Sequence, residues 1–289
     1  MMNHYKVAEH VFGIDAPEDI FALLPNYAPF LTDEIDASHV FILHVSDEPM
    51  PVSEGWEHVY TDRSDEDMPR IEMYKRPEEW LFLSSMWRDS AIECALQCSA
   101  NWREATVYLH RNNARFAIDN AAMLLYAFAT ANKQTLLFHS SVTVLDEKAY
   151  LFLGHSGTGK STHSQQWKAA FADAELLNDD NPAVRVFATP RVYGTPWSGK
   201  TPCYKNASAT IQALVQLVQA PENKMTPLKM SQAYPYLLAS VSGLKVLPEM
   251  MDNLYESIAK LLERVPVYQL ECLPNTAAAQ LCCETINNP

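Results

Sequence analysis

Residues 136–162 read LLFHSSVTVLDEKAYLFLGHSGTGKST. LLFHSSVTVL (136–145) has the composition of a strand, Asp146-Glu147-Lys148 that of a turn, and AYLFLG (149–154) that of a second strand. The stretch therefore predicts a hairpin. It runs into a segment that satisfies G-x-x-x-x-G-K-[ST] on Gly154, Gly159, Lys160 and Ser161. Glycines at such positions let the backbone curl until successive N–H groups point at phosphate oxygens. KSTHSQQWKAAFA (160–172) has helical character, and a helix starting there adds its positive N-terminal end. The loop Gly154, His155, Ser156, Gly157, Thr158, Gly159, Lys160, Ser161, Thr162 is thus the expected nucleotide-phosphate site. Lys160 would reach the β- and γ-phosphates, Ser161 would offer a hydroxyl to Mg²⁺, and Thr162 would add a phosphate contact. The chain has eight glycines in all, and three fall within this loop, which argues against a coincidental match.

Working outward, ELLND (175–179) and AVRVFA (183–188) read as short strands split by Asp180-Asn181-Pro182, a second hairpin. RVYG (191–194) and IQALVQLVQA (211–220) read as strands, PEMMDNLYESIAKLLERV (248–265) as a helix and VYQLEC (267–272) as a late strand. A parallel-sheet ATPase alternates strands with long crossover helices. Hairpins on both sides of the loop predict a mixed sheet instead. NAAMLLYAFATAN (120–132) reads as a buried helix, with Asp119 or Asn120 placed to cap it and Asn132 to end it.

Phosphoryl transfer also needs carboxylates, one for the metal and one for the acceptor. Asp179 and Asp180 follow an apolar pair about twenty residues beyond the loop. They are candidate catalytic and metal-binding residues, although Asp-Asp-Asn-Pro is also good turn chemistry. His139, at the end of the strand before the hairpin, is a third candidate. His163 is expected on the helix surface. The irregular segment GTPWSGKTPCYKN (194–206) carries Lys200 and Lys205. A cation such as Lys200 there would offset charge developing on a transferred phosphoryl group.

Residues 1–115 read as a smaller β-rich domain, with strands at 39–45, 70–76, 79–85 and 104–110, and residues 116–289 as the domain that holds the loop. PEDIFALL (17–24) suggests a short helix, and TDRSDEDMP (61–69) a solvated loop. The formal net charge of −13 disfavours nucleic acid and anionic membranes as partners. The start of the chain has no cationic, apolar signal pattern, and the apolar run at 121–131 is too short to span a bilayer, so a cytoplasmic location is expected. The six cysteines lack metal-ligand spacing and read as buried, reduced thiols, with Cys94 and Cys98 one helical turn apart.

His139, GHSGTGKS (154–161) and LLNDD (176–180) together resemble the HPr kinase/phosphorylase and phosphoenolpyruvate carboxykinase superfamily, over roughly residues 135–220. The resemblance implies an α/β fold with a mixed β-sheet P-loop core flanked by helices. It also implies that His139 partners a catalytic aspartate, and that Asp179 and Asp180 supply the acceptor-facing base and a metal contact, without deciding which does which. Two departures stand out: His139 is followed by Ser140-Ser141 where the family commonly has Gly, and the downstream glycine-rich signature of HPr kinases has no counterpart. The reading expected from these residues is an ATP- and Mg²⁺-dependent kinase acting on a hydroxyl of a small metabolite or a protein serine. A nucleotide-binding regulatory protein without turnover and a phosphoenolpyruvate carboxykinase-like enzyme are the alternatives. The resemblance permits a homo-oligomer.

Overall fold

The computed structural model describes residues 1–34, 38–62, 70–86, 90–199, 201–243 and 245–288. Its contacts divide the chain into two units, Met1–Ala129 and Thr130–Pro289.

In the first unit, β1 (Met2–Val7) and β2 (His10–Asp15) form a hairpin in which Val7 faces His10. The short helix α1 (Glu18–Phe21) follows Pro17, as the composition suggested. Next come β3 (Ile42–Ser46), β4 (Glu57–Thr61), β5 (Arg70–Arg76), β6 (Glu79–Ser85), β7 (Cys94–Ser99) and β8 (Glu104–Leu109). Among the described residues these make an eight-stranded sheet in the order β1-β2-β3-β8-β7-β6-β5-β4. Each of the four expected strands overlaps one of them. β7 was not foreseen: Cys94 and Cys98 sit on a strand, not on a helix, and both are buried free thiols. The acidic stretch at 63–69 lies outside the described residues.

Helix α2 (Ala114–Thr130) belongs to this unit. Tyr126 donates its hydroxyl to the Val7 carbonyl at 3.0 Å, and Phe128 stacks on Trp102 at 4.3 Å between ring centroids. These contacts are why the observed division falls after Ala129 and not near residue 115. The helix also starts earlier than its apolar run. Asp119 and Asn120 therefore lie inside it and do not cap it: Asp119 accepts from the Asn26 amide at 2.9 Å, and Asn120 donates to the Phe116 carbonyl. A tight turn at Ala131–Lys133 leads to Gln134 with a left-handed φ of 53°, which ends the helix in place of Asn132.

The second unit contains β9 (Thr135–Leu137), β10 (Ser140–Leu145), β11 (Lys148–Leu153), α3 (Lys160–Ala170), β12 (Glu175–Asp180), β13 (Ala183–Arg185) and β14 (Arg191–Tyr193). It continues with β15 (Ser208–Gln219), β16 (Lys224–Pro227), α4 (Met230–Ser240), α5 (Pro248–Leu262), β17 (Val267–Cys272) and α6 (Thr276–Asn287). The strand order is β12-β10-β11-β15-β14-β13-β9, with β17 also on β15 and β16 on β17. β11 and β17 run parallel to β15, while β10 runs antiparallel to both β11 and β12. The sheet is mixed and the architecture α/β.

Alternation along β11 buries both faces of this sheet. Leu151 and Leu153 face Leu237, Ile258 and Leu261 of α4 and α5, while Tyr150 and Phe152 join Trp167 of α3 and Cys282 and Ile286 of α6. Two expectations need correction. The strand read at 136–145 breaks at Phe138-His139, because β9 pairs with β13 while β10 pairs with β11 and β12. Nor do β12 and β13 form a hairpin: the chain leaves β12 at Asn181-Pro182 to join β9 and β14. Among the described residues no helix is long and apolar enough to cross a membrane.

Candidate functional site

The sheet register gathers the candidate residues. Ser140 lies opposite both Leu153 of β11 and Asp180 of β12, and Ser141 lies opposite Phe152 and Asp179. Because β10 is antiparallel to both neighbours, the carboxyl ends of β11 and β12 emerge at the same edge, on either side of its start. The carboxyl ends of β15 and β17 reach that edge as well. In open α/β sheets this is where ligands bind. Ser141 and Ser164 share a buried hydroxyl–hydroxyl hydrogen bond of 2.6 Å, which ties α3 to β10.

The glycine-rich loop needs its glycines for conformation. Gly157 and Gly159 have φ of 80° and 102°, which side-chain-bearing residues rarely adopt. Thr158 donates to the His155 carbonyl at 2.8 Å, and Gln219 at the end of β15 donates to the Gly157 carbonyl at 3.1 Å. His155, Ser156, Gly157 and Thr162 are exposed. Lys160 is buried and donates to the carbonyls of Gly154 at 2.9 Å and His155 at 3.3 Å. Burial lowers its pKa, while Asp180 and Asp179 pull it back up.

The two aspartates differ in environment. Asp179 is buried; one oxygen accepts from the Ser161 hydroxyl at 3.0 Å, and the other has no partner. Asp180 is partly open. One oxygen lies 3.3 Å from His139 Nε2, and the other accepts from the Asn181 amide at 2.8 Å. Burial pushes the Asp180 carboxyl up to about 6; Lys160 opposes that shift and Asp179 adds to it. Burial, helped by Lys160 and His155 and opposed by Asp179, pushes His139 down to about 4. At neutral pH His139 is therefore a neutral ring and Asp180 is mostly ionised. Asp180 also has φ 154°, an unusual value for a residue with a Cβ.

Several supporting residues carried no local signal. The Ser242 hydroxyl donates to the Asn181 side-chain oxygen at 2.7 Å, and Thr195 donates to the Asn181 carbonyl at 2.7 Å. Asn181 was visible in sequence only as part of a turn; Ser242 and Gln219 arrive through tertiary folding. The 194–206 segment lies against the acids. The Gly199 N–H donates to the Asp179 carbonyl at 2.6 Å, and a Cβ at Gly199 would sit 3.1 Å from that same oxygen. Lys205 pairs with Glu175 at the other end of β12, away from the acids. Lys200 lies outside the described residues. His163 is not on the helix surface. It is buried, accepts from the Trp167 indole N–H at 3.0 Å, and burial pushes it down to about 4.

Among the described residues no cluster of three or more His, Cys, Asp or Glu side chains is grouped to hold a metal. The oxygen pair Ser161–Asp179 nonetheless suits Mg²⁺, which takes few protein ligands and completes its shell with phosphates and water. The unpartnered Asp179 oxygen is a ready ligand for it. Compared with family models and with curated proteins, the chain matches none.

Proposed function

We propose that the second unit is an ATP-dependent phosphotransferase of the HPr kinase-like type, transferring the γ-phosphate to a hydroxyl of a small metabolite or a protein serine. One observation carries the reading: the two adjacent carboxylates have different partners, Asp179 on the Ser161 hydroxyl and Asp180 on His139. That contrast divides their duties. Ser161 and Asp179 would hold Mg²⁺, which when bound neutralises charge on the β- and γ-phosphates. Lys160 exchanges the loop carbonyls for phosphate oxygens. Asp180, oriented by the neutral His139 ring and by Asn181, accepts the proton of the attacking hydroxyl. The bond from the acceptor oxygen to the γ-phosphorus forms as the bond from that phosphorus to the β–γ bridging oxygen breaks, leaving ADP. A carboxyl raised to about 6 is better matched to proton abstraction near neutrality than an ordinary aspartate.

The test is transfer of labelled γ-phosphate from ATP to a panel of metabolites and proteins. Wild-type protein is expected to label at least one hydroxyl acceptor, and Asp180→Asn to slow that transfer by at least about 100-fold with ATP binding retained. Undiminished transfer in Asp180→Asn would remove its assignment as base. Undiminished ATP affinity in Lys160→Ala would remove the phosphate loop itself.

A further inference from the structure

A cavity of about 580 Å³ opens at the edge of the second sheet opposite the glycine-rich loop. Its wall comes from the turn between β10 and β11, the segment that leads into β12, and the starts of β14 and β15. The candidate site lies where β11, β12 and β15 end, and this cavity where they begin. No residue of the proposed reaction lines it.

The lining carries unlike charges. Glu175 and Lys205 satisfy each other at 2.8 Å. The others are not paired in this way. Arg191, half-buried, donates from Nη1 to the Thr210 hydroxyl at 3.3 Å, and from Nη2 to the Ser208 hydroxyl at 2.9 Å and the Ser208 carbonyl at 3.3 Å. Three neutral oxygens thus fix the guanidinium, and among the described residues no carboxylate neutralises it. Asp146, Glu147 and Asp173 line the same cavity, and among the described residues no cation pairs with any of them. Exposed acids alone would be a solvated rim. A held guanidinium is different, because its fork of N–H groups matches a carboxylate. Unlike charges that share one cavity and do not close on each other are complementary to a ligand that carries both. Val144, Leu176 and Ala209 add an apolar wall for methylene groups.

We infer that this cavity binds a basic α-amino acid, with its carboxylate on Arg191, its ammonium groups toward Asp146, Glu147 and Asp173, and its methylenes on the apolar wall. Three carboxylates against one guanidinium favour a ligand with two positive charges and one negative. The inference does not rest on the phosphotransferase reading and adds a second ligand site to the same unit.

Calorimetric titration of the full chain with L-lysine, norleucine and cadaverine separates the contributions, since norleucine lacks the side-chain ammonium and cadaverine the carboxylate. Lysine is expected to bind at least about tenfold tighter than either. Arg191→Gln is expected to weaken lysine at least about tenfold and leave cadaverine unchanged. Asp173→Asn, at an exposed position, is expected to weaken lysine and cadaverine at least about threefold and leave norleucine unchanged. Should Arg191→Gln fail to fold, the three ligands on wild-type protein and on Asp173→Asn decide the question. Cadaverine bound as tightly as lysine reduces the cavity to an acidic surface that gathers cations, and overturns the inference. Norleucine equal to lysine overturns the basic class of ligand. Lysine bound alike by wild type and both variants, or not bound at all, overturns the site.

Discussion

The second oxygen of Asp179 is buried without a hydrogen-bond partner. Such a group costs about 1–3 kcal/mol unless something satisfies it, and a cation is the most direct remedy. MgATP is therefore expected to raise the melting temperature of wild-type protein more than ATP with a chelator does, and Asp179→Asn to abolish that difference. An unchanged Mg²⁺ increment in the variant would place the metal elsewhere. The neighbouring carboxyl predicts a pH profile. With Asp180 at about 6, it binds a proton as pH falls below neutrality and stops acting as a base, so kcat/KM should drop on the acid side with an apparent pKa near 6. His139→Gln removes a neutral ring that orients Asp180, so it should lower kcat and keep the acid limb. His163 makes a stability prediction. Its folded-state pKa, about 4, lies below the ordinary 6.5, so its contribution is present above pH 6.5 and lost as pH falls through about 4. The upper bound is about 3 kcal/mol. Urea unfolding at pH 7 and pH 4.5 should show a smaller difference in His163→Gln than in wild type.

At the scale of elements, the hairpin of β10 and β11 turns on two residues, with Leu145 facing Lys148. Asp146 and Glu147 both have left-handed backbones, φ 51° and 62°. That is the mirror-image turn that matches strand twist, and it favours Gly at its second position. Glu147→Gly should stabilise the protein by about 1 kcal/mol, read as a shift in urea midpoint at constant slope. The opposite outcome is expected at Gly194, where a Cβ would overlap the Lys205 carbonyl oxygen. Gly194→Ala has backbone on both sides of the clash and should cost about 1–3 kcal/mol. The hairpin, its loop and α3 were legible because turn chemistry, glycine spacing and helical composition all act over a few residues. The break at Phe138-His139 was not, because local composition there favours a continuous strand. What divides it is pairing with β13 on one side and with β11 and β12 on the other. β7 escaped for a related reason: Cys94 and Cys98 are as compatible with one face of a strand as with one turn of a helix.

Across the whole molecule, the residues of the proposed reaction come from the second unit. MgATP should slow amide hydrogen exchange most at the loop, the start of α3 and the end of β12, with smaller changes in Met1–Ala129. The α/β class and the mixed sheet could be reached from sequence, since the hairpin ahead of the glycine-rich loop excludes a purely parallel arrangement, although the second expected hairpin did not form. The division between units could not be placed, because α2 has the apolar composition of a helix that either unit might have buried. The same holds for Ser242 and Gln219, polar residues whose partners are set by where distant strands end. The candidate site residues differ from these: His139, the loop and Asp180-Asn181 belong to one short span of chain, at the ends of three adjacent strands. Closing so short a span costs little chain entropy, so these contacts can form early while β17 and α6 are still unplaced. That edge of the sheet is then built before the last strand and the last helix complete it.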